Sequence, residues 1–134
     1  MNLRLNILDV TTLKILAKMA NGEEEPNIRF TFVSNNDDIA CSSSTLEELY
    51  ECVMKIEADV LYKHVCSCEE SGEISNAKDL AFYIHYVFGD VELSMKVYSS
   101  AERFKDDPEK LKLEIGNLFF TRLLNFSEIA LIPD

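Results

Sequence analysis

The sequence predicts a single α+β domain: a mostly antiparallel five-stranded sheet with three helices packed on one face, in the order β-α-β-β-α-β-β-α. Three observations carry this prediction. The chain has 134 residues, 47% of them apolar and 28% charged, which is ordinary composition for one domain spanning 1–134. Several segments alternate apolar and polar residues with the period of a strand. Others repeat apolar residues at helical spacing between recognisable caps.

The chain begins with a predicted strand followed by a helix. Residues 2–8 alternate leucine and isoleucine with polar residues, the pattern of a half-buried strand. Asp9 or Thr11 is positioned to cap the helix that follows, and Asn21 with Gly22 supplies its C-terminal stop. The next four residues, Glu23-Glu24-Glu25-Pro26, are then an exposed acidic loop.

A β-hairpin is predicted next. Residues 27–34 alternate apolar and polar side chains, and a second short strand is expected over residues 39–42. Between them stands Asn35-Asn36-Asp37-Asp38, a run of residues that tolerate the backbone angles of tight turns. The two segments are therefore expected to pair antiparallel.

The longest helix is predicted from about Thr45 toward Cys66. Ser44 and Glu47 have the spacing of a capping box, and apolar residues recur every three or four positions after it. Glu57 falls inside the apolar stripe of this helix. We interpret this as a shift of the stripe around the helix at that turn, which lets the Glu57 carboxylate reach the edge of the stripe.

A second hairpin is predicted around Gly89-Asp90. A two-residue turn there pairs residues 82–88 with residues 91–97 and places every apolar partner on one face. The alternative is a helix beginning near Ser75, which would place Gly89 in its interior. The hairpin leaves a second face as a protein-contact surface, formed by Tyr83, His85, Val87 and Tyr98.

The last helix is predicted from its cap. Asp107-Pro108-Glu109 combines an N-cap, a proline at the first helical position and an acid in the first turn, so a helix should run to about Phe126. The apolar tail 129–133 is expected to dock as an edge strand or against this helix.

The cysteines and the N-terminus predict a cytoplasmic protein. No apolar stretch approaches the roughly 20 residues of a membrane span, and the alternating N-terminus lacks the apolar core of a signal peptide. In a reducing compartment the default state of a cysteine is the free thiol. Free thiols are therefore predicted at Cys41, Cys52, Cys66 and Cys68.

The metal and catalytic motifs of the chain are few. His64-x-Cys66-x-Cys68, with Cys52 upstream, offers nitrogen and sulfur ligands to zinc, but its spacing is shorter than structural zinc sites use. A cysteine nucleophile with His64 or His85 as base is formally available. No phosphate loop or dinucleotide fingerprint is present. We therefore predict no metal, no cofactor and no catalytic residues.

Charge is the most distinctive property of the sequence. The net charge is −11, and residues 23–73 carry thirteen acids and three bases, a net of −10, which leaves −1 for the remainder. Such a field repels nucleic acid and anionic membranes and attracts basic protein surfaces. The predicted partner-binding residues are Glu23, Glu24, Glu25, Asp37, Asp38, Glu47, Glu48, Glu51 and Asp59.

These observations favour a non-enzymatic inhibitor or adaptor that binds a basic protein through an acidic surface. Phage-encoded anti-defence proteins, anti-CRISPR proteins among them, and nucleic-acid mimics act in this way on nucleic-acid-binding enzymes. The first alternative is a secretion-type chaperone, since type III secretion chaperones are similarly small, acidic α+β proteins, and that resemblance implies a homodimer. The second alternative is a small thiol- or metal-dependent enzyme.

Overall fold

The computed structural model describes residues 9–22, 28–66 and 79–133. Within these ranges the chain forms six helices and one two-stranded antiparallel sheet, so the predicted five-stranded sheet with three helices is wrong. No helix in these ranges is long and apolar enough to cross a membrane. The helices are α1 (Val10–Ala20), α2 (Leu46–Lys55), α3 (Ala58–Val65), α4 (Asp79–Tyr86), α5 (Val91–Arg103) and α6 (Pro108–Ile129); the strands are β1 (Phe30–Val33) and β2 (Ile39–Ser43).

The core forms around α6, which packs against α1, α2, α3 and α5. The hairpin closes the core through β1, whose two phenylalanines point inward. β1 also packs against α3, and β2 packs against α2. The largest fully buried side chains come from β1, from α2, α3, α4 and α6, and from the turn after α4, and include Phe32, Leu49, Leu61, Ile84, Phe88, Leu111, Ile115 and Phe119.

The first helix confirms its predicted caps. The Asp9 carboxylate accepts a hydrogen bond from the Thr12 backbone N–H at 2.8 Å, and the helix ends before Asn21 and Gly22, where Gly22 adopts φ of +71°. The hydrogen bonds from Thr12 hold the pKa of Asp9 below its usual 3.8. The predicted strand over residues 2–8 and the loop over residues 23–26 lie outside the described residues.

The hairpin is also confirmed. β1 and β2 pair antiparallel with Phe30 opposite Ser43, and the register shifts after Phe32. Asp37 adopts φ of +68° in the turn between the strands, a conformation that aspartate and asparagine tolerate better than most residues.

The predicted long helix is two helices. Ile56 and Glu57 both have extended backbone, with ψ of 162° and 152°, so α2 stops at Lys55 and α3 starts at Ala58. The Ile56 carbonyl, which this break leaves without a helical partner, accepts a hydrogen bond from Lys112 Nζ of α6 at 2.7 Å. Glu57 thus departs from the apolar stripe because it lies at the break, and its side chain is exposed.

The predicted hairpin at Gly89-Asp90 is wrong, because both of its segments are helical. α4 ends at Tyr86, and Gly89 then turns the chain with φ of +72°. Asp90 caps α5, its carboxylate accepting from the Leu93 N–H at 3.0 Å. Gly89-Asp90 also has the composition of a hairpin turn, but here the glycine ends one helix and the aspartate caps the next.

Burial in this region follows the helical period rather than the strand period. Ile84 and Phe88 of the first segment and Leu93 and Val97 of the second are buried. The strand prediction placed these four residues on one face with Phe82, Tyr86, Val91 and Met95, all of which are exposed. Small residues bring α4 and α5 together: Ser94 Oγ donates to the Ala81 carbonyl at 2.8 Å.

A buried ionic cluster fixes the start of α5 to α6. The Arg122 guanidinium makes two bonds to Asp90, from Nε to Oδ2 at 2.8 Å and from Nη2 to Oδ1 at 3.0 Å. Its Nη2 also donates to Glu92 at 2.7 Å, and Nη1 lies 3.4 Å from Asn125 Oδ1. Arg122 and Asp90 are almost entirely buried, so this cluster holds the N-terminus of α5 against α6.

The last helix confirms its predicted N-terminus. Asp107 accepts from the Lys110 N–H at 3.2 Å, and Pro108 occupies the first helical position. The helix runs to Ile129, three residues beyond the predicted end. Residues 130–133 form a turn rather than an edge strand, and the Ile132 carbonyl accepts a hydrogen bond from Lys14 Nζ of α1.

Candidate functional site

The predicted acidic residues within the described ranges fall into two groups. Glu47, Glu48 and Glu51 lie on the first two turns of α2. Asp37 and Asp38 lie in the β1–β2 turn, and Asp59 lies in the first turn of α3. The remaining three predicted residues, Glu23, Glu24 and Glu25, lie outside the described residues.

All three acids of the first group are exposed, but the Glu48 carboxylate also has a structural contact. The Glu48 carboxylate accepts from the Ser44 N–H at 2.9 Å, while the Thr45 hydroxyl accepts from the Glu48 N–H at 3.1 Å. This exchange caps α2, one residue later than the predicted pairing of Ser44 with Glu47. Glu47 and Glu51 are therefore the two acids of α2 that are available to a partner.

In the second group, the hairpin turn is tied to α3. Asn35 Nδ2 donates to Asp59 Oδ2 at 3.1 Å, and Lys63 Nζ donates to the Ser34 carbonyl at 2.9 Å. Asp37 and Asp38 extend from the same turn into solvent. This end of the hairpin thus carries three acids together with one lysine that binds the backbone.

The two groups are held apart. Glu47 and Lys55 lie at opposite ends of α2, about 12 Å apart along the helix axis. A recess at the second end, lined by residues that include Asn35, Lys55 and Glu57, lies between the hairpin turn and the junction of α2 with α3. Lys55 and this recess therefore lie between the acids of α2 and those of the hairpin turn.

Beside the first group of acids lies an apolar contact between α2 and α6. Half-buried Tyr50 and exposed Met54 lie on the same side of α2 as Glu47 and Glu51, at i, i+3, i+4 and i+7 spacing. The Tyr50 ring lies 5.9 Å from the Phe120 ring. Met54 lies over Gly116, where a Cβ would approach the Met54 sulfur to 3.1 Å. Glycine at this position therefore allows the two helices to approach closely.

The apolar contact continues along the solvent side of α6. Leu113, Phe120 and Leu124 recur at spacings of seven and four residues, and Leu113 is 63% exposed. An apolar centre bordered by carboxylates has the composition of a protein-contact surface. We call it the α2–α6 surface and define it by Glu47, Tyr50, Glu51, Met54, Leu113, Phe120 and Leu124.

The positive charge of Arg29 lies near the acidic N-terminal end of α2. Its Nε donates to Ser42 Oγ at 2.9 Å, which holds the guanidinium against β2. Burial raises the pKa of the nearby Tyr83 phenol to about 12, with Arg29 acting to lower it and Glu48 to raise it. The Tyr83 hydroxyl donates to the Ile28 carbonyl, so Tyr83 belongs to the core rather than to the contact surface that we predicted for it.

The free-thiol prediction is wrong for two of the four cysteines. Cys41 of β2 and Cys52 of α2 form a disulfide across a Cα–Cα distance of 5.7 Å. Cys66 Sγ lies 3.8 Å from the Ala101 carbonyl, and Cys68 lies outside the described residues. The disulfide fixes the middle of β2 to the buried side of α2, directly beneath the exposed acids.

The two histidines considered as catalytic bases have other contacts. His64 Nε2 accepts from the Val33 N–H at 3.0 Å, and its ring meets Phe30 and Phe32 edge-on in the core. His85 stacks on Tyr86, with ring centroids 4.2 Å apart. Among the described residues no group of three histidine, cysteine, aspartate or glutamate side chains is arranged to hold a metal ion.

The sequence contained a partial signal for the apolar half of the α2–α6 surface. The helical spacing that follows the Ser44 cap includes Tyr50 in the apolar stripe, so the pattern does not mark this residue as part of a surface. The exposed stripe of α6 has a regular spacing, but apolar residues occupy so much of this helix that its solvent side is not distinguishable by composition.

No protein family, no curated protein and no solved structure matches this chain. What bears on its function is therefore the composition and geometry of the α2–α6 surface.

Proposed function

We propose that this protein is a non-enzymatic inhibitor or adaptor that binds a basic partner protein through the α2–α6 surface. The observation that carries the proposal is the composition of one helix face, on which Glu47 and Glu51 stand beside Tyr50 and Met54. A partner that presents lysine or arginine around an apolar side chain matches this surface in both charge and polarity.

The charge of the whole chain supports the same partner. A net charge of −11 attracts a basic protein at long range and accelerates its association, while the apolar centre provides the short-range contact. A basic groove on a nucleic-acid-binding enzyme, the target of anti-defence proteins and nucleic-acid mimics, has this chemistry. In such a complex Glu47 and Glu51 replace phosphate groups.

We propose the cytoplasm as the site of action. Cytoplasmic disulfides are rare, so the cysteines of the cytoplasmic protein are expected to be reduced there. The hairpin would still be held by Phe30 and Phe32 in the core, and the caps of α2 do not involve sulfur. Thiol trapping of the protein in intact cells tests this compartment, because a fully oxidised Cys41–Cys52 pair would argue for an oxidising one.

The proposal is tested with a double charge reversal. Glu47→Lys with Glu51→Lys changes the net charge from −11 to −7, since each reversal adds two, and leaves the Glu48 cap intact. The matched control is Glu102→Lys with Asp106→Lys, two exposed acids elsewhere that give the same net charge. Partners are captured from a lysate of the source cells at low salt and released by a salt gradient.

The expected result is a basic protein that binds the wild type and the control but not the Glu47/Glu51 variant, and that leaves at moderate salt. If both variants lose the partner equally, net charge alone would explain the binding, and the position of Glu47 and Glu51 would not matter. Retention by the Glu47/Glu51 variant would overturn the proposed surface.

A further inference from the structure

A second exposed surface lies on α4 and α5. On α4, Phe82 and Tyr86 face solvent, their rings 4.4 Å apart, and His85 stacks on Tyr86. Tyr86 is 64% exposed. Rings of this size are usually buried, so a group of them in solvent indicates a binding surface.

α5 extends this surface. Val91, Met95 and Tyr98 recur at four- and three-residue spacing on its solvent side, and Met95 is 62% exposed. The stripe adjoins Ser94, whose hydroxyl bonds to the Ala81 carbonyl of α4, so it runs beside the groove between the two helices. The α4–α5 surface is therefore Phe82, His85, Tyr86, Val91, Met95 and Tyr98.

This surface is poor in charged residues. None of the six is Asp, Glu, Lys or Arg, residues 80–86 contain none of these four types, and the α5 stripe reaches an exposed acid only at Glu102, one turn beyond Tyr98. It thus offers nothing to a basic partner, and anionic membranes are repelled by the net charge of −11. An uncharged face is where two copies of so acidic a chain can approach with least repulsion.

The area suits a second copy. From their exposed fractions, the side chains of this surface present roughly 500 Å² of accessible area, which is large for a patch on a monomer. Two copies would bury about 1,000 Å² from these residues alone, the lower limit of a specific interface. Two-fold symmetry requires such a surface to match itself, and aromatic and methionine side chains adapt readily to each other.

We propose that the protein forms a two-fold homodimer in which the α4–α5 surfaces of two copies pack together. The proposal is independent of the partner proposed for the α2–α6 surface, and a dimer would present two such surfaces. The salt dependences of the two contacts have opposite signs. Salt weakens binding of a basic partner but screens the repulsion between two acidic copies, so it should strengthen the dimer.

The test is the mass of the full-length protein in solution, by sedimentation equilibrium over a range of concentrations at low and high salt. A dimer has twice the monomer mass of 15.3 kDa. Met95→Glu places two carboxylates in the apolar interface and should raise the dimer dissociation constant on the order of a hundredfold. Leu113→Glu, an equally exposed substitution on the α2–α6 surface, is the control and should leave the dimer intact.

Methionine oxidation supplies a measurement within the wild-type protein. As concentration rises, the oxidation rate of Met95 should fall, whereas that of Met54 on the other surface should stay constant. Wild-type protein that remains monomeric at all concentrations and salts would overturn the dimer. If Met95 in that monomer is oxidised readily, the α4–α5 surface is open and would bind a different protein. If Met95 resists oxidation, other residues of the same chain cover it. Dissociation by Leu113→Glu but not by Met95→Glu would equally overturn it.

Discussion

The two exposed surfaces stand on scaffolds of different kinds. α2 is joined to β2 by the Cys41–Cys52 disulfide, whose residues are 11 apart in the sequence. α5 is joined to α6 by the contact of Asp90 with Arg122, 32 residues away. The covalent link beneath the α2–α6 surface therefore joins residues close in sequence, whereas the ionic contact beneath the α4–α5 surface joins distant parts of the chain.

The difference has energetic consequences. A disulfide stabilises chiefly by restricting the unfolded chain, so its loss leaves the native contacts in place. A buried ion pair with one partner removed leaves an uncompensated charge inside the native protein. The α4–α5 scaffold should thus be the more sensitive of the two to a single substitution, and unfolding measurements on Arg122 and on the disulfide test this ranking.

The largest effect is expected from Arg122→Met. Removing the guanidinium leaves the Asp90 carboxylate buried beside Glu92, at a cost of about 3–5 kcal/mol in the free energy of unfolding. Denaturant unfolding measures it. Arg103→Met, which breaks the exposed contact with Glu114, is the control and should cost about 1 kcal/mol or less. Similar costs for the two variants would contradict the role assigned to the buried cluster.

The second effect is that of the disulfide. The loop closed by Cys41 and Cys52 is short, so reduction should lower the free energy of unfolding by about 3 kcal/mol. Wild-type protein is unfolded with and without reductant. The variant Cys41→Ala with Cys52→Ala is the control and should be insensitive to reductant. Reductant sensitivity that persists in this variant would show that another sulfur is responsible.

The smallest effect is a pH dependence at Tyr83, which packs beside β1. The pKa of its phenol rises from the ordinary value of 10.0 to about 12 in the folded protein, so ionisation of Tyr83 favours the unfolded chain. The associated stability is fully present below pH 10 and is lost as the pH rises through 12. Tyr83→Phe should remove this part of the alkaline decline, whereas Tyr86→Phe, at an exposed ring, should retain it. An unchanged slope in Tyr83→Phe would mean that this phenol does not contribute.

The sequence predictions are accurate where contacts between adjacent residues decide the structure, and fail where contacts between distant residues do. The caps at Asp9 and Asp107, the glycine stop at Gly22 and the first hairpin were predicted correctly because a few adjacent residues decide them. The break at Ile56-Glu57 coincides with an acid that falls inside the apolar stripe, yet the donor that satisfies the Ile56 carbonyl is Lys112 of α6, which sequence proximity cannot show.

The region from Leu80 to Val97 shows why a pattern can mislead. Its apolar residues are so closely spaced that they satisfy both the strand period and the helix period. The pattern is consistent with a hairpin that turns at Gly89 or with a helix that passes through it. The structure has neither: two helices meet at Gly89, and the contact of Asp90 with Arg122 favours this arrangement.

The candidate site divides in the same way. The sequence alone determined that the chain is strongly acidic and that Glu47 and Glu51 follow a helix cap. Only the tertiary structure decided that the described acids lie in two groups, that Phe120 completes an apolar contact beside one of them, and that Phe82, Tyr86 and Met95 face solvent. The physical reason is that charge and capping are set by neighbouring residues, whereas burial is set by which distant helices pack together.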